Sequence, residues 1–182
     1  MFQTDIIEKC KQNDRKAQMQ LYAQYCDGMY AVASRFVKNP VEAEDIVQEA
    51  FIKAFAKLHQ YKKDVAFGAW LKRIVINKCI DLLKSKRAHL LPLDEVHLKA
   101  VDDVDGEWLV EDLITIDQVK QAISQLPETN RYVVMLYLVE GYDHQEIADI
   151  LGTTESNSRT QLSRGKVKLQ ELLKHRYNGE RP

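Results

Sequence analysis

The polar side chains that indicate a chemistry most clearly follow Gly152. If residues 155–173 form a helix, Leu162, Leu169 and Leu173 share one face. The opposite face and its shoulders carry hydroxyl, amide and guanidinium groups, from Ser156, Asn157, Arg159, Thr160, Ser163 and Arg164. Such groups hydrogen-bond base edges and neutralise phosphates when a helix enters the major groove of DNA. An ordinary amphipathic helix with a solvated polar face would show the same stripe.

The residues just before this stretch favour the DNA-binding interpretation. Ile147, Ala148 and Leu151 predict a short apolar helix, and the small Ala148 permits a second helix to approach closely. Gly152 can adopt the positive φ of a tight turn, and Thr154 can cap the helix that follows. The spacing therefore predicts a helix-turn-helix motif.

A second set of polar groups lies in the N-terminal half. A helix over 42–58 would expose Asp45, Gln48 and Glu49. The next helix, which begins near Phe67, would carry a polar stripe that is preceded by aromatic and basic loop residues. The residues of interest there are Tyr61, Lys62, Lys63, Arg73, Asn77 and Lys84. Basic groups, an amide and aromatic rings can engage unpaired bases. Alternatively, the lysines are only solvated surface, and Phe67 and Trp70 belong to the core.

These side chains need a scaffold, and the periodicity predicts one that is all-α. Apolar residues recur at steps of three and four, and no convincing run alternates with period two. Besides the helices above, we expect helices over about 16–37, 116–126 and 128–140. We predict two small helical domains, 1–89 and 116–182, joined by an acidic linker over 90–115.

The charge of the chain follows the same division. Its 182 residues have a formal net charge of −1, which argues against a uniformly basic nucleic-acid binder. Residues 62–89 contain eight basic and two acidic side chains, and residues 155–182 contain seven and three. Residues 90–117 contain one basic and nine acidic side chains. Two basic blocks therefore flank an acidic one.

Other classes of site find little support in the sequence. Cys10, Cys26 and Cys79 are widely spaced and form no metal-binding pattern, so we predict no metal and no cofactor. No motif of a phosphate loop, serine hydrolase or metalloprotease occurs, and we predict no catalytic residue. The longest apolar run, Tyr132–Val139, is too short to span a membrane. We expect a cytoplasmic protein that does not insert into the membrane.

Two long segments resemble a known family. EAEDIVQEAFIKAFAKL and FGAWLKRIVINKCIDLLKSKR are similar to region 2 of extracytoplasmic-function RNA polymerase sigma factors, within the sigma-70 family. LPETNRYVVMLYLVEGYDHQEIADILGTTESNSRTQLSRGKVKL is similar to their region 4. The resemblance implies a transcription initiation factor that binds core RNA polymerase and directs it to promoters. The acidic linker would then thread the RNA-exit region of the polymerase.

The resemblance also implies a role for each set of polar residues. Asp45, Gln48 and Glu49 would contact the clamp helices of the β′ subunit, and the polymerase interface would extend to the β subunit. The Tyr61–Lys84 set would bind the melted −10 element, and the set on 155–173 would read the −35 duplex. An anti-sigma factor is a possible further partner.

The sequence departs from the family pattern at two positions of the last helix. Ser158 stands where an apolar residue is frequent, and Gly165 stands where alanine is usual. Glycine within a helix is unfavourable by about 1 kcal/mol relative to alanine, so we expect close packing against Gly165.

The sequence is also compatible with two other functions. A simple helix-turn-helix regulator with a ligand-sensing or dimerising N-terminal domain would explain the C-terminal half. It leaves the Asp45, Gln48 and Glu49 face and the Asn77 stripe without a role. An enzyme is disfavoured because no catalytic motif is present.

Overall fold

The computed structural model describes residues 2–88 and 114–179, which divide between two compact units, 1–94 and 95–182. The first unit contains α1 (Phe2–Lys11), α2 (Arg15–Phe36), α3 (Pro40–Ala56), a 3₁₀ turn (Leu58–Gln60) and α4 (Phe67–Ala88). The second contains α5 (Ile116–Ser124), α6 (Glu128–Val134), a π-helical segment (Met135–Val139), α7 (His144–Leu151) and α8 (Glu155–Gly179). The described ranges hold no strand, so the predicted all-α fold is confirmed. The predicted linker lies outside the described residues except for Ile114 and Thr115.

Side-chain caps fix the helix starts of the first unit. The Asp14 carboxylate accepts from the Lys16 and Ala17 amides at 2.8 and 3.2 Å. Asn39 accepts from the Val41 amide at 3.0 Å. The α3 helix therefore begins at Pro40, two residues before the predicted start at residue 42, because the fixed φ of proline suits the first position of a helix.

The core of the first unit forms where α2, α3 and α4 pack together. Its largest fully buried side chains are Leu21, Phe51, Leu58, Phe67, Leu71 and Ile76. Trp70, which we expected in the core with Phe67, is half-buried. The periodicity did not predict α1, a short helix that buries Ile7 and Cys10.

The second unit departs from the prediction at one place. We predicted a continuous helix over 128–140, but α6 gives way to the π-helical segment after Val134. The Glu140 amide donates to the Met135 carbonyl at 3.0 Å, one residue farther than in an α-helix. Gly141, with φ of +79°, follows the segment and ends it.

Candidate nucleic-acid interface

The helix-turn-helix motif of the second unit is built by local hydrogen bonds. Asp143 accepts from the Glu146 amide at 2.8 Å, and the Glu146 carboxylate accepts from the Asp143 amide at 3.2 Å. This capping box starts α7. Gly152 then turns the chain with φ of +67°, and the Thr154 hydroxyl caps α8 by accepting from the Asn157 amide at 3.1 Å. The predicted turn glycine and cap are both confirmed.

Packing orients α8 so that its polar stripe faces outward. Leu162, Leu169 and Leu173 are buried, as the periodicity predicts. A Cβ atom added to Gly165 would lie 2.4 Å from Cγ2 of Val134. Nearby, the buried Asn130 amide donates to the Gln161 carbonyl at 3.1 Å. The glycine therefore permits α6 to approach the α8 backbone, which is the close packing that we expected.

The predicted base-reading residues lie together on α8. Ser156, Asn157 and Arg159 are exposed, whereas Thr160, Ser163 and Arg164 are half-buried. Asn157 donates to the Thr153 hydroxyl at 2.7 Å, and the Thr160 hydroxyl donates to the Ser156 carbonyl at 3.0 Å. Arg159 pairs with Glu155 one turn earlier. These bonds hold the polar groups in place within one helix and its turn.

The sequence did not reveal a polar contact beneath this face. Ser158 is fully buried, and its hydroxyl lies 2.9 Å from Nδ1 of His144 on α7. The imidazole stacks on Tyr137, with ring centroids 4.8 Å apart. Burial lowers the pKa of His144, and Arg159 lowers it further. The serine at the unusual position thus connects the two helices of the motif.

The loop between the 3₁₀ turn and α4 holds three of the residues that we assigned to single-stranded DNA. Lys62 is exposed. Lys63 has φ of +67° and pairs with Glu8 of α1 at 2.9 Å. Lys63 and Lys11 lower the pKa of the Glu8 carboxyl.

The third of these residues, Tyr61, is only 7% exposed. Its hydroxyl donates to the Val65 carbonyl at 2.7 Å, and its ring packs against Phe67 and Trp70. In this conformation the ring supports the loop from within. Stacking on a base would require it to move.

The polar stripe of α4 continues from this loop. Arg73 and Asn77 are half-buried, and Lys84 is exposed.

A groove of about 350 Å³ lies elsewhere on the unit, between α2 and α3, and Gln48 is among its lining residues.

The predicted protein-binding face lies on α3. Asp45, Gln48 and Glu49 are all exposed. Glu49 is paired across to α4, since its carboxylate lies 2.5 Å from Nζ of Lys78. The face is therefore accessible but partly neutralised by a neighbouring helix.

The three cysteines are free thiols. Burial raises the pKa of Cys79 to about 12 and raises that of Cys10. These two thiols are packing groups. Within 2–88 and 114–179, no group of three or more histidine, cysteine, aspartate or glutamate side chains could hold a metal ion. No helix in the same ranges is long and apolar enough to cross a membrane.

Comparison with protein-family models gives two matches. Residues 21–89 match the model of sigma-70 region 2, and residues 116–169 match that of sigma-70 region 4. The α1 helix precedes the first matched range.

Relatives align with nearly the whole chain. The RNA polymerase sigma-H factor of Pseudomonas aeruginosa is 28% identical over 92% of each chain. The extracytoplasmic-function sigma factor SigW of Bacillus subtilis is 29% identical over 92% of this chain and 95% of its own. The corresponding sigma-E factor of Escherichia coli is 29% identical over 93% and 95%.

Solved structures show the same fold. The sigma factor RpoE of Bartonella quintana, in complex with the anti-sigma factor NepR, superposes with a TM-score of 0.56 and 25% identity. The alignment covers 86% of this chain and 96% of that one. CnrH, in complex with the cytosolic domain of CnrY, gives a TM-score of 0.55 at 23% identity, over 93% and 96%.

Proposed function

The chain belongs to the sigma-70 family of RNA polymerase sigma factors, in its extracytoplasmic-function group, and on this premise we propose how its two units divide the work. As a sigma factor it directs core RNA polymerase to promoters. The observation that carries the proposal is the order of the two family regions along one chain, each with its own exposed polar face. A simple helix-turn-helix regulator would need only the second.

We assign reading of the −35 duplex to the second unit. Its α8 helix has the length, the outward polar face and the capped start of a recognition helix. The readers are Ser156, Asn157, Arg159, Thr160, Ser163 and Arg164. Arginine can form bidentate bonds to guanine, whereas hydroxyls and amides serve several bases and phosphates.

We assign binding of the melted −10 strand to the loop before α4 and the stripe along α4. Lys62, Arg73, Asn77 and Lys84 supply charge and hydrogen bonds at the surface. Lys63 would contact a phosphate by exchanging its partner Glu8. Tyr61 acts indirectly in the conformation observed, by holding the loop through Val65.

We assign core-polymerase binding to the α3 face formed by Asp45, Gln48 and Glu49, with the β′ clamp helices as its partner and the β subunit as a further contact. Because the Bartonella relative is seen with an anti-sigma factor, we also propose that such a regulator can cover this face. The proposed binding of polymerase and promoter DNA requires no catalytic residue, metal or cofactor from this chain. It implies a cytoplasmic location, where polymerase and promoters are.

A reconstituted transcription assay tests the proposal. Core polymerase, with or without this chain, is incubated with promoters whose −35 and −10 positions are randomised, and the transcript ends are sequenced. We expect starts only with the chain, at templates that share two motifs. Absence of specific starts across the library would overturn the proposal, and enrichment of duplex binding without initiation would support the simple regulator.

A further inference from the structure

A polar cluster connects the helices of the helix-turn-helix motif beside the predicted DNA face. The His144 imidazole lies between Tyr137, on which it stacks, and the buried Ser158 hydroxyl. Ser158 stands between two exposed predicted readers, Asn157 and Arg159. The histidine is therefore adjacent to the DNA face, although the sequence assigned it no role.

The two ring nitrogens of His144 differ in their hydrogen bonding. Nδ1 is engaged by Ser158, whereas Nε2 has no hydrogen-bond partner within the described residues. The imidazole is half-buried rather than enclosed. Two cations adjoin this cluster, because Arg159 acts on the histidine electrostatically and Lys166 lies 6.0 Å from the centroid of the Tyr137 ring. A hydrogen-bond donor among cations suits an anion.

We propose that Nε2 of His144 donates a hydrogen bond to a backbone phosphate of the −35 duplex, and that the ring takes up a proton when DNA binds. The inference rests on the proposed function. In helix-turn-helix proteins the first helix crosses the DNA backbone while the second enters the groove, so a phosphate contact from the start of α7 fits that geometry. The neutral ring can donate from Nε2 while Nδ1 accepts from the Ser158 hydroxyl, and the protonated ring donates from both nitrogens and adds a positive charge opposite the phosphate.

The charges around His144 determine how the affinity for DNA changes with pH. Arg159 and Lys166 of α8 disfavour the protonated ring, whereas Glu155 of α8 and Asp143 before α7 favour it. Burial is the largest influence, and the pKa of the free protein lies below the ordinary value. A bound phosphate adds a negative charge and raises this pKa. Affinity for DNA therefore increases as pH falls through the range between the free and bound pKa values.

The test compares holoenzymes that carry the wild-type chain or His144→Gln. The probe is a short duplex with the −35 motif selected in the transcription library, and binding is measured by fluorescence anisotropy at constant salt. As the pH falls from about 8 to about 6, we expect the ratio of wild-type to His144→Gln affinity for the duplex to increase roughly threefold to tenfold. At the acidic end, His144→Gln should also reduce the salt dependence by about one phosphate contact.

Two further variants separate a phosphate contact from a structural role. His144→Lys carries a charge at every pH, so its binding should lose the pH dependence yet keep the steeper salt slope. His59→Gln removes an exposed histidine from the other unit, and its binding to this duplex should depend on pH as that of the wild type does.

The outcomes distinguish failure of the His144 inference from failure of the proposed function. An advantage of wild type over His144→Gln that is constant with pH, with equal salt slopes, would mean that the histidine only packs, and it would overturn the inference. If the library yields no promoter, the proposed function itself has failed.

Discussion

The two units hold their polar surfaces in different ways. In the first unit, lysines are paired with carboxylates from other helices: Lys63 with Glu8 at 2.9 Å, Lys78 with Glu49 at 2.5 Å and Lys86 with Glu42 at 2.5 Å. In the second, the Asn157–Thr153 and Thr160–Ser156 bonds on the DNA face lie within α8 and its turn. The first surface therefore depends on tertiary packing, and the second depends on one well-anchored helix.

This difference suits the two forms of DNA that we assign to the units. A duplex presents a regular groove, so a preformed helix can read it without rearrangement. An unpaired strand is flexible and offers its bases and phosphates in varied positions. Lys63, on its exchangeable ion pair with Glu8, can follow such a ligand, because exposed ion pairs are worth only about 0–1 kcal/mol.

The largest effect that we expect comes from the anchor of α8. Gly165→Ala places a methyl group against Val134, whose branched side chain has little freedom in a helix. Overpacking of about 1–3 kcal/mol should outweigh the gain in helix propensity of about 1 kcal/mol. We expect faster hydrogen exchange throughout α8, measured by mass spectrometry, and partial recovery in the double variant with Val134→Ala.

A matched control is available in the first unit. Gly28 also lies within a helix, but a Cβ atom there would meet nothing within 4 Å. Gly28→Ala should therefore slow exchange slightly. If Gly165→Ala stabilised its unit as Gly28→Ala does, α8 would not be anchored by this contact.

A smaller effect is expected on the α3 face. Asp45→Lys and Glu49→Lys should each weaken binding to core polymerase about tenfold, or about 1.4 kcal/mol, because a carboxylate at the interface is reversed. Only Glu49→Lys should also lower the stability of the first unit, since it places two lysines together near Lys78. A binding titration and a denaturant melt separate the two effects.

Lys78→Gln serves as the control for this pair. It breaks the same ion pair from the other side and should leave polymerase binding near the wild-type level. Equal loss of binding in Lys78→Gln would show that the ion pair, rather than the Glu49 carboxylate, supports the interface.

The smallest effect is expected at the loop before α4. Glu8→Gln removes the partner of Lys63, so amides of residues 61–66 should exchange faster while the unfolding midpoint of the unit falls only slightly, because exposed ion pairs contribute little. The Glu8 pKa is lowered in the folded chain, so this ion pair stabilises at neutral pH and is lost on acidification. Unchanged exchange in Glu8→Gln would remove α1 from the control of this loop.

The same comparison explains what could be predicted from the sequence. The turn at Gly152, the Thr154 cap and the buried leucines of α8 depend on neighbours within a few residues, and periodicity and spacing predict them. The packing reason for Gly165 could be expected, but its partner Val134 could not be identified. Such contacts join residues far apart in the chain, and no local pattern encodes them.

Several features that the sequence did not predict also depend on contacts between residues far apart in the chain. The Glu8–Lys63 and Glu49–Lys78 pairs and the His144–Ser158 contact required the tertiary fold. The assignment of Tyr61 to DNA rests on the stacking of aromatic residues on bases, and the burial of its ring against Phe67 and Trp70 could not be predicted from a loop sequence. The π-helical segment was also missed, since its apolar residues, Met135–Val139, fit the α-helical pattern.

The division of labour between the units is tested most directly on one selected promoter, prepared either fully paired or with its −10 segment already unpaired by mismatches. Holoenzymes carry the wild-type chain, Asn77→Ala or Arg164→Ala, and transcript yield is measured on both templates. We predict that both variants are defective on the paired template and that the unpaired template increases the relative yield of Asn77→Ala more than that of Arg164→Ala. Equal rescue of the two variants, or rescue of Arg164→Ala alone, would contradict the account.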